Sequence, residues 1–218
     1  YAELHCKSNF SFLQGASHAG ELVERAKRLG YRAIAITDRN TLAGIVRAHG
    51  VAKDEQLKFI VAAELTFVDA PACVVWVPNR KAYGQLCKLL TLGRRRAGKG
   101  ECLLYFDDLR EFGEDWIVGV IPDWNPQAEN LMSDHLRLHE EAALIKTAQL
   151  LAYREIFVED CYLLAELHRG VADQQRLLRL RRLSEDANVP LLAAGDVYYH
   201  DPSRARLQDT LTAIAHHC

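Results

Sequence analysis

No two cysteines in the chain are spaced as C-x-x-C. The six present stand at positions 6, 73, 87, 102, 161 and 218, and neither a zinc ribbon nor a disulfide framework follows from that spacing. Reduced, buried thiols of a cytoplasmic protein account for it. No apolar run reaches the length of a bilayer span and no signal peptide is visible, so no membrane partner is expected. An excess of one charge sign is missing too. With 27 Lys and Arg against 29 Asp and Glu, the formal net charge is −2, so any basic binding surface must be local. There is no repeat of fixed period and no low-complexity linker, and the expectation is a single domain over residues 1–218.

What is present is ordinary globular material, 49% apolar and 26% charged over 218 residues, enough for one substantial core. The chain begins at Tyr1 and stops just after the helical pattern "LQDTLTAIAHHC". It therefore reads as a piece of something longer or as a processed chain. Short apolar runs alternate with helical patterns throughout. "AELHC" is the first strand candidate. "HAGELVERAKRLG" then sets Leu22, Val23, Ala26 and Leu29 on one helix face, with Ser17 as cap and Gly30 as stop. The strands "AIAIT", "FIVAAEL", "CVVWV", "WIVGVI", "EIFVEDCYL" and "PLLAAGDVYY" follow. Helical patterns separate most of them, among them "TLAGIVRAHGVAKDE", "RKAYGQLCKLLTLG", "FDDLREF", a long stretch over 126–153, and "ADQQRLLRLRRLSEDAN". Repeated β-α units imply parallel strands, and seven of them favour a closed α/β barrel over an open sheet.

In such a barrel, chemistry gathers where the carboxyl ends of the strands converge on one mouth. Strand one ends at His5, with Lys7 just beyond; strand two ends at Asp38 and Arg39; strand three ends at Glu64; strand seven ends at Asp196, with Tyr198 following. Each is weak evidence alone, since a charged strand end is usually a cap or a surface group. Their recurrence at one end is what points to a site. Two chemistries could use it. His and carboxylate ligands could hold divalent metals that activate water against a phosphoester. Equally, Lys7 and Arg39 could neutralise Glu64 and Asp196 with no metal.

The stretches "ELHCKSNFSFLQGAS", "AIAITDRNTLAGIVRAH", "FIVAAEL", "NRKAYGQLCKLLT" and "LLAAGDVYYHDPSRARLQDTLTAI" resemble, in order and across essentially the whole chain, the PHP (polymerase and histidinol phosphatase) domain. That domain opens bacterial C-family DNA polymerase III α-type subunits, and the wording is closest to the damage-induced, error-prone branch. The resemblance implies a distorted seven-stranded (β/α)7, TIM-barrel-like fold. It also implies a longer polymerase chain whose palm, fingers and thumb lie beyond residue 218, using Mg²⁺ for nucleotidyl transfer in translesion synthesis. DNA, a sliding clamp and other mutagenesis-complex proteins would be its partners.

Active members of the family hold a cluster of metals at the mouth. Carried over position by position, His5 matches the first histidine of an H-x-H pair whose second member is Lys7 here. The family's next aspartate is Gln14, and the histidine of its T-D-H motif is Arg39. Glu64 survives, the histidine beside strand four corresponds to Ala72, and Asp123 is the poor candidate near "GVIPDW". Asp196 survives and the histidine two residues on is Tyr198. Any metal would thus rest on His5, Glu64 and Asp196, against two new cations. A unit charge beside a divalent ion costs kcal/mol even at an effective dielectric of about 20. The expectation is a metal-free scaffold without cofactor, in which Arg39 and Lys7 are counter-ions to Glu64 and Asp196. The alternative is a phosphoesterase or 3′–5′ exonuclease with a reduced metal site.

Other motifs are weaker. "RRRAGKG" places Arg94, Arg95, Arg96 and Lys99 in a polar loop, which reads as a contact for DNA phosphates or a partner, or more simply as a solvated loop. His135 and His139 share a helix face at i, i+4 without an acidic or Cys partner; His216, His217 and Cys218 sit at a fraying end; Trp76 reads as core.

Overall fold

In the computed structural model, residues 1–122 and 147–217 are described. Asp123, His135, His139, Cys218 and most of the helical pattern over 126–153 lie outside the described residues. Within them the chain runs β1 (Ala2–Glu3), α1 (Ala19–Arg28), β2 (Ala33–Ile36), α2 (Ile45–Asp54), β3 (Lys58–Leu65) and β4 (Cys73–Trp76). It continues through α3 (Arg80–Arg96), α4 (Asp108–Phe112), β5 (Ile117–Val120), α5 (Thr147–Phe157) and β6 (Cys161–Glu166). It ends with α6 (Asp173–Ala187), β7 (Leu191–Ala194) and α7 (Ala205–Ala215). No described helix is long and apolar enough to cross a membrane.

The seven strands form one sheet in sequence order, a nearly closed barrel. The expectation of uniformly parallel strands fails at one strand. β4 runs antiparallel to both neighbours, with Glu64 opposite Val74 and Val75 opposite Val118. Only residues 66–72 separate β3 from β4, and a parallel return needs a crossover of a dozen residues or more. The reversal sets the start of β4, beside Ala72, against the mouth end of β3.

First and last strands close the ring with few backbone bonds. Cys6 bridges Val197; Lys7 N–H donates to the Val197 carbonyl at 2.8 Å, and Val197 N–H donates to the His5 carbonyl at 3.0 Å. One buried carboxylate completes the seam. Glu3 Oε1 accepts from the backbone N–H of Leu4 and His5, both at 3.0 Å, and of Gly195 at 2.9 Å.

Inside the barrel, Ala35, Ala62 and Ala194 leave room for one large ring, Trp76. Its indole N–H donates to the Leu4 carbonyl at 3.0 Å. A Cβ on Gly119 would lie 2.4 Å from Trp76 Cη2, so the strand opposite must be bare there. The larger core, with Leu86, Leu89, Trp116, Tyr153 and Leu163, packs helices on the outer face of β4–β6.

Three local expectations are corrected. His18, not Ser17, precedes the first turn of α1, and Glu21 accepts its backbone N–H at 2.8 Å. Ser17 instead pairs with His200 across the seam. α3 runs through Gly93 to Arg96, so Arg94, Arg95 and Arg96 form its last turn rather than a loop, and only Lys99 stays in the connection. Glu155, Ile156 and Phe157 close α5, and β6 begins only at Cys161. The five described thiols are less uniform than expected: Cys6, Cys73 and Cys161 are buried, Cys87 and Cys102 half-buried, all free.

Candidate functional site

The mouth gathers side chains from both ends of the chain because β1 and β7 meet there. His5 and Lys7 follow β1, Glu64 lies at the end of β3, Glu166 ends β6, and Asp196 and Tyr198 follow β7. Asp196 is held in the left-handed region, at φ +47. His5 Nδ1 lies 2.5 Å from Glu166 Oε1, and Nε2 lies 2.9 Å from Glu64 Oε2. Lys7 Nζ donates to Asp196 Oδ1 at 2.6 Å and stands 2.8 Å from Glu64 Oε2. Tyr198 donates its hydroxyl to Asp196 Oδ2 at 2.9 Å, and its ring lies under the Lys7 ammonium, 4.8 Å from centroid to Nζ.

Every group in this cluster is buried or nearly so, which makes its charge state a question of partners. For His5, burial works against the cation, but the hydrogen bonds to Glu166 and Glu64 outweigh it and raise the imidazole to about 9. Burial likewise opposes the Lys7 ammonium, yet Glu64 and Asp196 push its pKa up further. Burial alone would raise Glu64; the hydrogen bond from His5 and the charge of Lys7 reverse this and hold it at about 2. Asp196 is lowered against its own burial by His5 and Lys7. Burial lifts the Tyr198 phenol to about 12, so it stays a donor. Two cations therefore face three carboxylates in a dry pocket.

His5, Glu166 and Asp196 offer ligand atoms that all lie within 4.8 Å of one another, the set among the described residues able to hold a metal ion. That set does not fit a dication as it stands. A metal needs a ring lone pair, and both His5 nitrogens face carboxylates. It would also sit against an ammonium already within 2.8 Å of Glu64 and Asp196.

Of the residues singled out in the sequence, His5, Lys7, Glu64, Asp196 and Tyr198 come together. Arg39 does not. It is exposed, forms no ion pair among the described residues, and meets Glu64 only through a backbone bridge. Its role as a counter-ion is therefore corrected: the charge facing Glu64 and Asp196 belongs to Lys7 and His5. Asp38 also turns away from the mouth. It accepts from Ser8 N–H and Ser8 Oγ at 2.7 Å and from Ser11 Oγ at 2.8 Å, pinning the turn after β1. Gln14 sits half-buried in that turn, its Oε1 lacking a hydrogen-bond partner. Ala72 flanks the mouth end of β4, its carbonyl accepting from Ile121 N–H at 2.9 Å.

Glu166 was missed. The strand-end rule that finds Glu64 also finds it, once β6 is carried on to its sixth residue. The basic stretch is partly spoken for: Arg94 donates to the Asn40 carbonyl at 2.9 Å, and Arg96 pairs with Asp108 at 2.6 Å and lies over Tyr105. Arg95 and Lys99 remain exposed.

The PHP domain family model matches residues 3–163. Among curated proteins, an error-prone DNA polymerase of Pseudomonas syringae pv. syringae is 46% identical over 217 residues, covering 100% of this chain and 20% of the polymerase. One from Rhodopirellula baltica is 43% identical over 215 residues, covering 99% and 18%. The chain thus spans about a fifth of the length of these relatives. Among solved structures, a Bifidobacterium adolescentis protein of proposed metal-dependent phosphoesterase activity superposes with a TM-score of 0.59 at 14% identity, over 96% of each chain. An amidohydrolase from Chromobacterium violaceum, solved with sulfate and no metal, gives 0.59 at 12% identity, over 91% of this chain and 87% of its own. At such identities the two carry the fold alone.

Proposed function

The chain belongs to the PHP domain family, and on that premise we propose that it forms one domain of an error-prone DNA polymerase and serves there as a non-catalytic, metal-free scaffold. The longer chain would transfer deoxynucleotides to a primer end with Mg²⁺ held by carboxylates outside these residues. Its identity to error-prone polymerases along the whole length supports the parent activity. One observation carries the scaffold role: the Lys7 ammonium stands between Glu64 and Asp196, 2.8 and 2.6 Å away. The barrel keeps a packed interior while side-chain cations of its own occupy the mouth. Stability depends on the first and hydrolysis on the second.

Metal-dependent phosphoester hydrolysis is the second reading, drawn from the His5, Glu166 and Asp196 triangle. It requires Lys7 to leave and His5 to lose a proton. Elemental analysis of the full-length polymerase after exposure to Mn²⁺, Zn²⁺ and Fe²⁺ separates the two. The scaffold reading expects no stoichiometric ion at the mouth and no exonuclease activity beyond background, with primer extension intact. A bound ion that disappears in Asp196→Asn, together with exonuclease loss, would establish the second.

A further inference from the structure

Among the described residues, the floor of the barrel, opposite the mouth, is open. Strands buried at their mouth ends are half-exposed near where they begin: Phe59, Ile60 and Val61 in β3, Ile117 in β5, Tyr162 in β6 and Leu192 in β7. Together with Trp76 they line an apolar groove of about 990 Å³. Its outer wall carries Val46, 80% exposed, and Tyr83, 37% exposed. Side chains of this kind rarely form a continuous open surface unless something covers them.

We infer that this groove is the docking surface for the remainder of the same polypeptide, received as an apolar segment with an acidic flank. The inference rests on the polymerase reading above. Three observations choose the occupant. Relatives are about five times as long as this chain, so most of the parent must pack against it somewhere. The groove is lined by Lys58 and Arg80 and by no carboxylate, and neither cation forms an ion pair among the described residues, so acidic flanking residues would complement it. The groove's neutral polar side chains are few and partly engaged within the domain: Asn79 caps α3 by accepting from Ala82 N–H at 2.9 Å, and His49 packs edge-on against Phe59.

The test uses the full-length polymerase with p-benzoylphenylalanine in place of Tyr83 or Val46, irradiated and mapped by mass spectrometry. A mixture of isotopically light and heavy protein separates contacts within one copy from contacts between copies. Expected are cross-links within one copy to residues outside 1–218, several-fold weaker in Lys58→Glu/Arg80→Glu, with position 171, a fully exposed site, silent. Cross-links between copies, cross-links only to residues within 1–218, or none would each overturn the inference. Primer extension by the same preparations reports on the polymerase reading separately. Absent synthesis would defeat that reading while the cross-link map still decides what covers the groove.

Discussion

Among single residues, Lys7 and Arg39 make the sharpest contrast. Both are cations at positions where the resembling family carries histidines, and both read as counter-ions in the sequence. The structure gives the role to the buried one. Lys7→Met would leave Glu64 and Asp196 short of a partner in a dry pocket, and removing one member of a buried pair costs about 3–5 kcal/mol. Arg39→Ala removes an exposed side chain with no ion partner among the described residues, and its cost should stay within about 0.5 kcal/mol. Urea unfolding of the two variants beside the parent checks both values; equal losses would contradict the assignment of charge to Lys7. The mouth was legible in the sequence to the extent that strand ends were placed correctly. His5, Glu64 and Asp196 were found that way, whereas Glu166 was lost with a strand ended too early. Arg39 and Asp38 were misassigned because spacing does not say which side of a turn a side chain takes.

For the elements, strand count and order were readable because apolar runs of four to eight residues punctuate the chain. Strand direction was not. The reversal of β4 is a property of the short 66–72 link, and extending the parallel rule of β-α units to an interval without a helical pattern hides it. The helical pattern "RKAYGQLCKLLTLG" leaves the three arginines in a loop, whereas α3 runs on through Gly93 to Arg96. Beside their ladder, β4 and β5 fit together at Gly119, where an added Cβ would lie 2.4 Å from Trp76 Cη2 and 2.7 Å from Leu164 Cδ2. Gly119→Ala should therefore cost about 1–3 kcal/mol through overpacking. Pairing it with Trp76→Phe should recover part of that loss, which a double-mutant cycle measures. Strict additivity would show that the ring can move aside.

For the whole molecule, the mouth makes stability depend on pH in a definite direction. His5 titrates at about 9 when folded against an ordinary 6.5, so its contribution is complete below about 6.5 and is lost as the pH rises through 9. Glu64 is held at about 2 against 4.5, so its contribution is complete above about 4.5 and is lost as the pH falls through 2. The plateau lies between. Unfolding free energy measured at pH 6 and at pH 9.5 should differ by roughly 3 kcal/mol in favour of the lower value. A flat profile would mean that His5 is neutral and available as a ligand.

The seam between the first and last strands also governs how the protein is born. Glu3 reaches Gly195 across 192 positions of chain, and Lys7 meets Asp196 across 189. A nascent chain leaving the ribosome carries Glu3 and Lys7 in water until nearly all of this unit has been synthesised. Helices and neighbouring strands can pair as they emerge, but the ring shuts last, and that late, long-range step limits the rate. Any truncation short of Asp196 takes one of two carboxylate partners from Lys7 and leaves the first strand without its seam, the kind of unpaired edge on which chaperones and proteases act.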